Sequence, residues 1–581
     1  MGGLIGRKKE PEIPPPPPPF QWYKGLGWFL RVFWRAIFSI IWPLLWIPVL
    51  TYDFYRNDLR CLYCVCVMAG YWVTECIPSP ITSIIPILYM PIMGITGTTD
   101  ICKAYFTGTN VMFITSVMIA LAVKHCNLHI RIALAFLLLV GCSPRRLHFG
   151  VMTITNLLSW WMQNTACTAM MCPIVYGVLE ELEKQGMGPI YHVNEDEDEN
   201  ETPEDNLTKR VPTNNTIAFF LAAAYSSSLG GCATLVGTDT NLVYRDHLEN
   251  FEQHWLLEKE GAEGVNFAKF MALNAPIMII LNCLFWLVLQ ILFMGLFRPN
   301  SIDYQVVQKG KELEKVARSV LKEKFNDLGR LSWHESWVLF LFIMVILLWL
   351  FRDPGLFKGW KEIGMGTEVG DAVACIFILI AMFLIPKDPT CFKSCSADRD
   401  ERPTKMSEGL INWKVLHEQT PWGIMLLLGG GFAIAKAADD SKMSVLVGDW
   451  LGVLKVLPPW LIMMICATAA SFFTELTANV STANILVPIV LALARKIEVN
   501  PLFLSLPTGI CCSFCFMLPV GTPPNALVAG FVNMKTSSMA KAGIILSILS
   551  LIVYFSLYLT WGGLFWNFNK ISWDYPDKPK S

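Results

Sequence analysis

Charge is scarce in this chain. Asp, Glu, Lys and Arg make up 16% of its 581 residues, against roughly 25% in ordinary soluble domains. Acidic and basic side chains balance to a net charge of −1, and no basic stripe stands out, which excludes a nucleic-acid partner. Disorder is excluded as well, because 54% of the residues are apolar and the mean hydropathy is +0.45. A cleavable signal is missing: the chain opens on Arg7, Lys8 and Lys9, and the Pro14–Pro19 run that follows reads as an extended polyproline arm. Position 6 is glycine, so the usual signal for N-myristoylation is absent too.

Metal-binding patterns are equally thin. The 18 cysteines lie mostly inside apolar segments, as at Cys61, Cys64 and Cys66 or Cys511, Cys512 and Cys515, where they read as small buried hydrophobes. Cys391 and Cys395 form the only compact pair in a polar loop, and no histidine lies near enough to complete a zinc site. His125, His129 and His148 sit near helix ends without metal spacing, and no nucleophile–base pair stands out, so the chain does not read as an enzyme.

What is abundant is long apolar sequence. A bilayer core needs about 20 apolar residues per helix, and candidates run over 36–53, 60–78, 80–95, 110–127, 270–297, 335–352, 371–387, 421–438 and 541–562. Four more stretches are apolar but interrupted: 150–182, 216–245, 458–494 and 502–533. The expectation is an all-α polytopic membrane protein. Basic residues cluster before the first span, at Arg145 and Arg146, in 298–333 and in 387–417. All four clusters fall on one face if 150–182 and 458–494 are re-entrant hairpins while 216–245 and 502–533 each cross once. That gives eleven crossings, a cytoplasmic N-terminus and an extracellular C-terminus. The acidic run Glu195–Glu201 and the sequons at Asn200, Asn206 and Asn214 then belong to the cytoplasm.

An internal repeat organises these elements. Gln163-Asn164-Thr165 through Pro173-Ile174-Val175 aligns with Ala478-Asn479-Val480 through Pro488-Ile489-Val490 at an offset of 315. Upstream, Ala120-Leu121-Ala122 matches Ala433-Ile434-Ala435, and downstream Gly237-Thr238-Asp239-Thr240-Asn241 matches Gly521-Thr522-Pro523-Pro524-Asn525. An odd number of crossings between the halves inverts one against the other, the plan of many secondary transporters, which bind near the midplane at broken helices. The expected organisation is a cytoplasmic arm (1–35), a first transmembrane helix (36–58), a first repeat (59–297, with hairpin 150–182, linker 186–215 and broken helix 216–245), a cytoplasmic amphipathic segment (298–334), a second repeat (335–565, with hairpin 458–494 and broken helix 502–533) and an extracellular tail (566–581).

The repeated motifs carry the chemistry. Broken helices free carbonyls for a cation and present helix N-termini to an anion, and unwound backbone at membrane depth is tolerated where it lines protein or a watery cavity. One such motif alone reads as helix packing glued by Asn and Thr. Four in symmetric pairs read as a binding site. A channel would call for a continuous pore with rings of charge or carbonyls, and paired hairpin tips without a basic ring favour an occluded carrier site instead.

These residues resemble the divalent anion/sodium symporter family of dicarboxylate, citrate and sulfate carriers, above all its insect-type INDY branch. The resemblance spans roughly residues 45–565 and rests on Tyr71-Trp72-Val73-Thr74-Glu75, the Val140–Gly150 stretch, Thr168-Ala169-Met170-Met171 and Gly521-Thr522-Pro523-Pro524-Asn525-Ala526-Leu527. It implies an elevator-type homodimer in the plasma membrane, surrounded by lipid, that moves a small di- or tricarboxylate such as citrate, succinate, malate or fumarate, without an organic cofactor and with sodium as the coupling ion. It also implies that Asn164, Thr165 and Asn479 contact substrate carboxylates, helped by Gln163, Gly237, Thr238, Thr522 and Pro523. One sodium site would draw on Ser159, Asn164 and Gly237, the other on Thr474, Asn479 and Gly521.

The chain departs from the family's Ser-Asn-Thr hairpin motifs at Gln163, Ala478 and Val480, carries Asp239 where a small residue or proline is usual, and has Lys124 in place of a glutamate. Sodium-independent exchange, and carriage of sulfate or another divalent anion, are therefore the alternatives.

Overall fold

The computed structural model describes residues 22–186, 188–192, 211–258, 265–353, 359–360, 369–389, 407–566, 568 and 572–573. The polyproline run, Glu195–Glu201, the Cys391–Cys395 pair and most of the 566–581 tail lie outside the described residues.

Among the described residues the regular structure is helical apart from one short antiparallel pairing of Leu256–Glu258 with Ser572–Trp573 and two isolated bridges, Tyr191 with Pro212 and Pro386 with Gly409. Among the described residues seven helical segments are long and apolar enough to cross a membrane, including Phe267–Leu292, Trp333–Leu350 and Thr536–Leu564. Their polarity is inverted relative to a soluble helix. On Thr536–Trp561 the exposed stripe is Ile544, Ile548 and Ile552, whereas Ser547, Ser550, Tyr554 and Tyr558 are buried. Apolar side chains facing outward are stable against lipid, which solvates them as well as a core does. The protein is an integral membrane protein.

The element order occurs twice. Gly108–His125, Leu128–Val140, Pro144–Ser159, Asn164–Lys184, Asn214–Gly231, Asp239–Trp255 and Phe267–Leu292 are followed later by Trp422–Asp440, Met443–Leu451, Pro459–Thr474, Asn479–Ile497, Pro501–Cys511, Pro523–Phe531 and Thr536–Trp561. Each set holds a helix–turn–helix pair with a four-residue turn (160–163 and 475–478) and then a helix broken by a loop (232–238 and 512–522). The second arms of the two helix pairs carry an internal proline at matching places, Pro173 and Pro488.

Two elements depart from the expected spans. Residues 80–95 form two short helices, Ser79–Thr82 and Ile85–Ile92, because Pro86 and Pro91 interrupt the ladder. The helices Leu128–Val140 and Met443–Leu451 have no counterpart among the expected spans. Each begins just after a left-handed residue, Asn127 (φ 58°) and Lys442 (φ 62°), at matching positions of the repeat.

Leu128–Val140 is apolar but, at 13 residues, too short to stand out as a span, and the fold neutralises its buried Arg131 from far away. The Arg131 guanidinium forks onto Glu335, at 3.0 Å to Oε1 and 3.1 Å to Oε2, and also donates to the Leu328 and Gly329 carbonyls at 2.9 Å. Glu335 in turn closes the capping box of Trp333–Leu350 with Ser332. Removing one partner of a buried pair costs about 3–5 kcal/mol, while replacing both by apolar groups is often neutral. Arg131→Met is therefore expected to lower the thermal unfolding midpoint of the detergent-solubilised protein, and Arg131→Met with Glu335→Leu to recover most of the loss. Equal midpoints for wild type and the single variant would contradict this account.

Candidate substrate and cation site

All four polar motifs fall at helix starts. Asn164 and Asn479 are the first residues of the second hairpin arms, preceded by extended Gln163 and Ala478. Asp239 follows Thr238 and opens the helix after the first break, and Pro523 follows Thr522 and opens the helix after the second. The first amides of a helix have no intrahelical acceptor, so each start offers free N–H donors and the positive end of a helix dipole.

The packing interleaves these starts. Each hairpin's first arm lies against the pre-break helix of its own repeat, Pro144–Ser159 on Asn214–Gly231 and Pro459–Thr474 on Pro501–Cys511. Each second arm lies against the post-break helix of the other repeat: Asn164–Lys184 on Pro523–Phe531, and Asn479–Ile497 on Asp239–Trp255. Tyr225 reinforces the join, its hydroxyl donating to the Phe516 carbonyl at 2.9 Å across the repeats.

Within each repeat the same oxygen cluster is built. Ser159 Oγ lies 2.8 Å from Asn164 Oδ1 and 2.7 Å from the Ser227 carbonyl oxygen. Thr474 Oγ1 lies 2.7 Å from Asn479 Oδ1 and 2.6 Å from the Cys512 carbonyl oxygen. Gly237 and Gly521 close the two clusters by backbone approach. A Cβ on Gly237 would stand 2.6 Å from the Gly231 carbonyl oxygen and 3.0 Å from that of Ser159, and one on Gly521 would stand 3.1 Å from the carbonyl oxygens of Thr474 and Glu475. Only glycine fits there.

The clusters are rich in oxygen and short of hydrogen. A hydroxyl carries one hydrogen, so Ser159 and Thr474 each serve one of two neighbouring acceptors and leave the other unpaired. Further buried oxygens without a partner occur in matching pairs: Ser228 Oγ with Ser513 Oγ, and Asn241 Oδ1 with Asn525 Oδ1. A surplus of converging oxygens is the donor set of a hard cation. The amide orientation also has a consequence. With both Oδ1 atoms on the Ser159 and Thr474 hydroxyls, the Asn164 and Asn479 amide nitrogens have no protein partner among the described residues and remain available as N–H donors, as a carboxylate requires.

The remaining expected residues are placed as follows. Thr165 is half-buried, Thr238 is buried with its carbonyl accepting from Asn241 N at 3.2 Å, and Pro523 is exposed. Thr522 Oγ1 is buried without a partner. Gln163 and Asp239 both line a cavity bounded also by Trp161, Phe113, Lys124 and Gln419. Among the described residues no hydrogen bond or ring contact joins the Asn164 tip directly to the Asn479 tip. The two communicate through the interleaved helices.

Three residues escaped the sequence reading. Asn241 Nδ2 bridges the Gly231 and Thr234 carbonyls at 3.1 and 2.8 Å, and Asn525 Nδ2 bridges those of Cys515 and Leu518 at 3.2 Å each. Both stand at matching positions of the Gly-Thr motif, so the repeat itself was the signal. Glu475 is different. It is 3% exposed and accepts from the amides of Phe516, Met517 and Leu518 at 2.8–3.1 Å, with the Cys515 thiol 3.2 Å away. Its counterpart in the first repeat is Trp160, so comparison of the halves hides it.

Duplicated, oxygen-lined breaks set among helices apolar enough for a bilayer define an integral membrane transporter. The family described as "Sodium:sulfate symporter transmembrane region" matches residues 28–568, and the chain belongs to that family. It is similar to "Protein I'm not dead yet" of Drosophila melanogaster, at 41% identity over 91% of this chain and 89% of the fly protein. It is also similar to two rat proteins: the "Na(+)/citrate cotransporter", at 36% identity over 89% of this chain and 92% of that one, and the "Na(+)/dicarboxylate cotransporter 3", at 32% identity over 91% and 92%.

Proposed function

We propose that this protein is a secondary active transporter that carries citrate and C4-dicarboxylates (succinate, malate, fumarate) across the plasma membrane, coupled to sodium. The observation that carries the reading is the pair of matching hairpin-tip clusters, in which Ser159 with Asn164 and Thr474 with Asn479 gather surplus oxygens while the asparagine N–H groups remain available as donors. In this reading sodium is co-substrate. Held by Ser159, Asn164 and the Gly237 backbone, and by Thr474, Asn479 and the Gly521 backbone, it keeps each Oδ1 in its cluster. A cluster without the cation is better satisfied by a flipped amide, which would turn an oxygen toward the anion. Cation and carboxylate are thereby linked through two side chains.

The relatives' names support the substrate class. The duplicated element order supports eleven crossings, two re-entrant hairpins, an inside N-terminus and elevator movement of the hairpins and broken helices against the rest of a homodimer. A second reading, sodium-independent exchange, is favoured by Ala478 and Val480, which offer no side-chain oxygen, and by Gln163, which stands where the family has serine.

Uptake of radiolabelled citrate, succinate and sulfate into proteoliposomes, with sodium replaced by choline, separates these readings. Saturable citrate and succinate flux that collapses in choline is the expected result. Flux indifferent to the replacement selects exchange, and sulfate flux alone overturns the substrate class.

A further inference from the structure

We propose that Lys124 sets the preference of this carrier for tricarboxylates over dicarboxylates, its ammonium receiving the substrate carboxylate that the hairpin-tip asparagines do not hold; the inference rests on the reading of the site as a carboxylate carrier. Two asparagine tips suffice for the two ends of a dicarboxylate. A third carboxylate needs a third donor, and the cavity beside the first tip supplies one.

That cavity lies between the helix Gly108–His125 with Gln419 on one side and the first hairpin tip with the start of Asp239–Trp255 on the other. Among the described residues Lys124 is the only cation lining it and Asp239 the only acid, and no ion pair joins the two. The partner of the Lys124 ammonium among those residues is Gln419 Oε1 at 3.4 Å, a long and weak contact. Most of the remaining wall is apolar, including Phe113 and Trp161, and an apolar wall strengthens the pull of a single charge. Lys124 itself is exposed and lies in the last turn of its helix, so its side chain is free to move to an incoming anion.

The repeat sharpens the assignment. In the register that pairs Asn127 with Lys442, the position matching Lys124 in the second half is Asp439, which lines a smaller cavity with His247 and Ser444; one turn before each, Ala120 and Ala435 line the same two cavities. At matching places the related cavities thus carry opposite charge. At those places the Lys124 ammonium attracts an extra carboxylate and the Asp439 carboxylate repels one.

The test uses the full-length protein in proteoliposomes at matched density, comparing wild type, Lys124→Gln and Lys124→Arg by KM and maximal rate for citrate and for succinate. A hydrogen bond between charged groups is worth enough to move affinity about tenfold. Lys124→Gln is therefore expected to raise the citrate-to-succinate KM ratio by about tenfold, and Lys124→Arg to hold it near wild type. An unchanged ratio in Lys124→Gln, or an equal rise in Lys124→Arg, overturns the role of the ammonium. Wild-type protein that moves neither substrate overturns the carrier reading itself, and the proposal with it.

Discussion

Replacing either hairpin-tip asparagine with alanine is expected to cut citrate and succinate uptake at least ~100-fold at unchanged surface density. Each amide does two things at once. Its oxygen belongs to the cluster around Ser159 or Thr474, and its nitrogen is a donor with no protein partner among the described residues. Hydrogen bonds to charged groups contribute about 1.5–3 kcal/mol each, and two lost in one variant correspond to roughly 10²–10⁴ in affinity. Asn164→Asp separates the donor from the bulk: it keeps shape and an oxygen but replaces N–H with a negative charge. It should be as inactive as alanine while melting near wild type. Uptake retained in Asn164→Asp or Asn479→Asp would remove these residues from the anion site.

The second large effect belongs to Glu475. Glu475→Ala strands three consecutive backbone amides, those of Phe516, Met517 and Leu518, in a buried loop. At about 1.5–3 kcal/mol per charge-assisted bond, the loss approaches the net stability of an ordinary domain, about 5–15 kcal/mol. The expected outcome is failure to accumulate folded protein, measured as the monodisperse yield after solubilisation. Glu475→Gln keeps an acceptor of the same shape and should restore yield in part. Normal yield of the alanine variant would mean that the second break does not depend on this carboxylate. The first break has no such dependence, because Trp160 stands at the matching place and the amides of Cys232 and Ala233 donate to the Leu229 and Gly230 carbonyls.

How far each feature was legible follows from its range in sequence. The breaks were legible because Asn164, Pro173, Gly237 and their partners Asn479, Pro488 and Gly521 interrupt apolar runs locally and recur in order. Asn241 and Asn525 were legible in principle for the same reason. Leu128–Val140 was not, because its 13 residues fall short of a span, and the residue that holds Arg131 there, Glu335, is about 200 positions away. Gln163 could be identified as a departure, but not that it would share a cavity wall with Asp239 and Lys124.

The sequence by itself determined that this protein lives in a bilayer, that it is built twice, and where the polar interruptions fall, since apolar length, repeat and helix-breaking residues are all local properties. Only the tertiary structure decided what those interruptions face. Whether an asparagine turns its oxygen or its nitrogen to the cavity depends on which hydroxyl and which carbonyl stand within 3 Å of it. Those neighbours, Ser227 for one tip and Cys512 for the other, are brought there by packing between helices, which no local pattern of residues encodes.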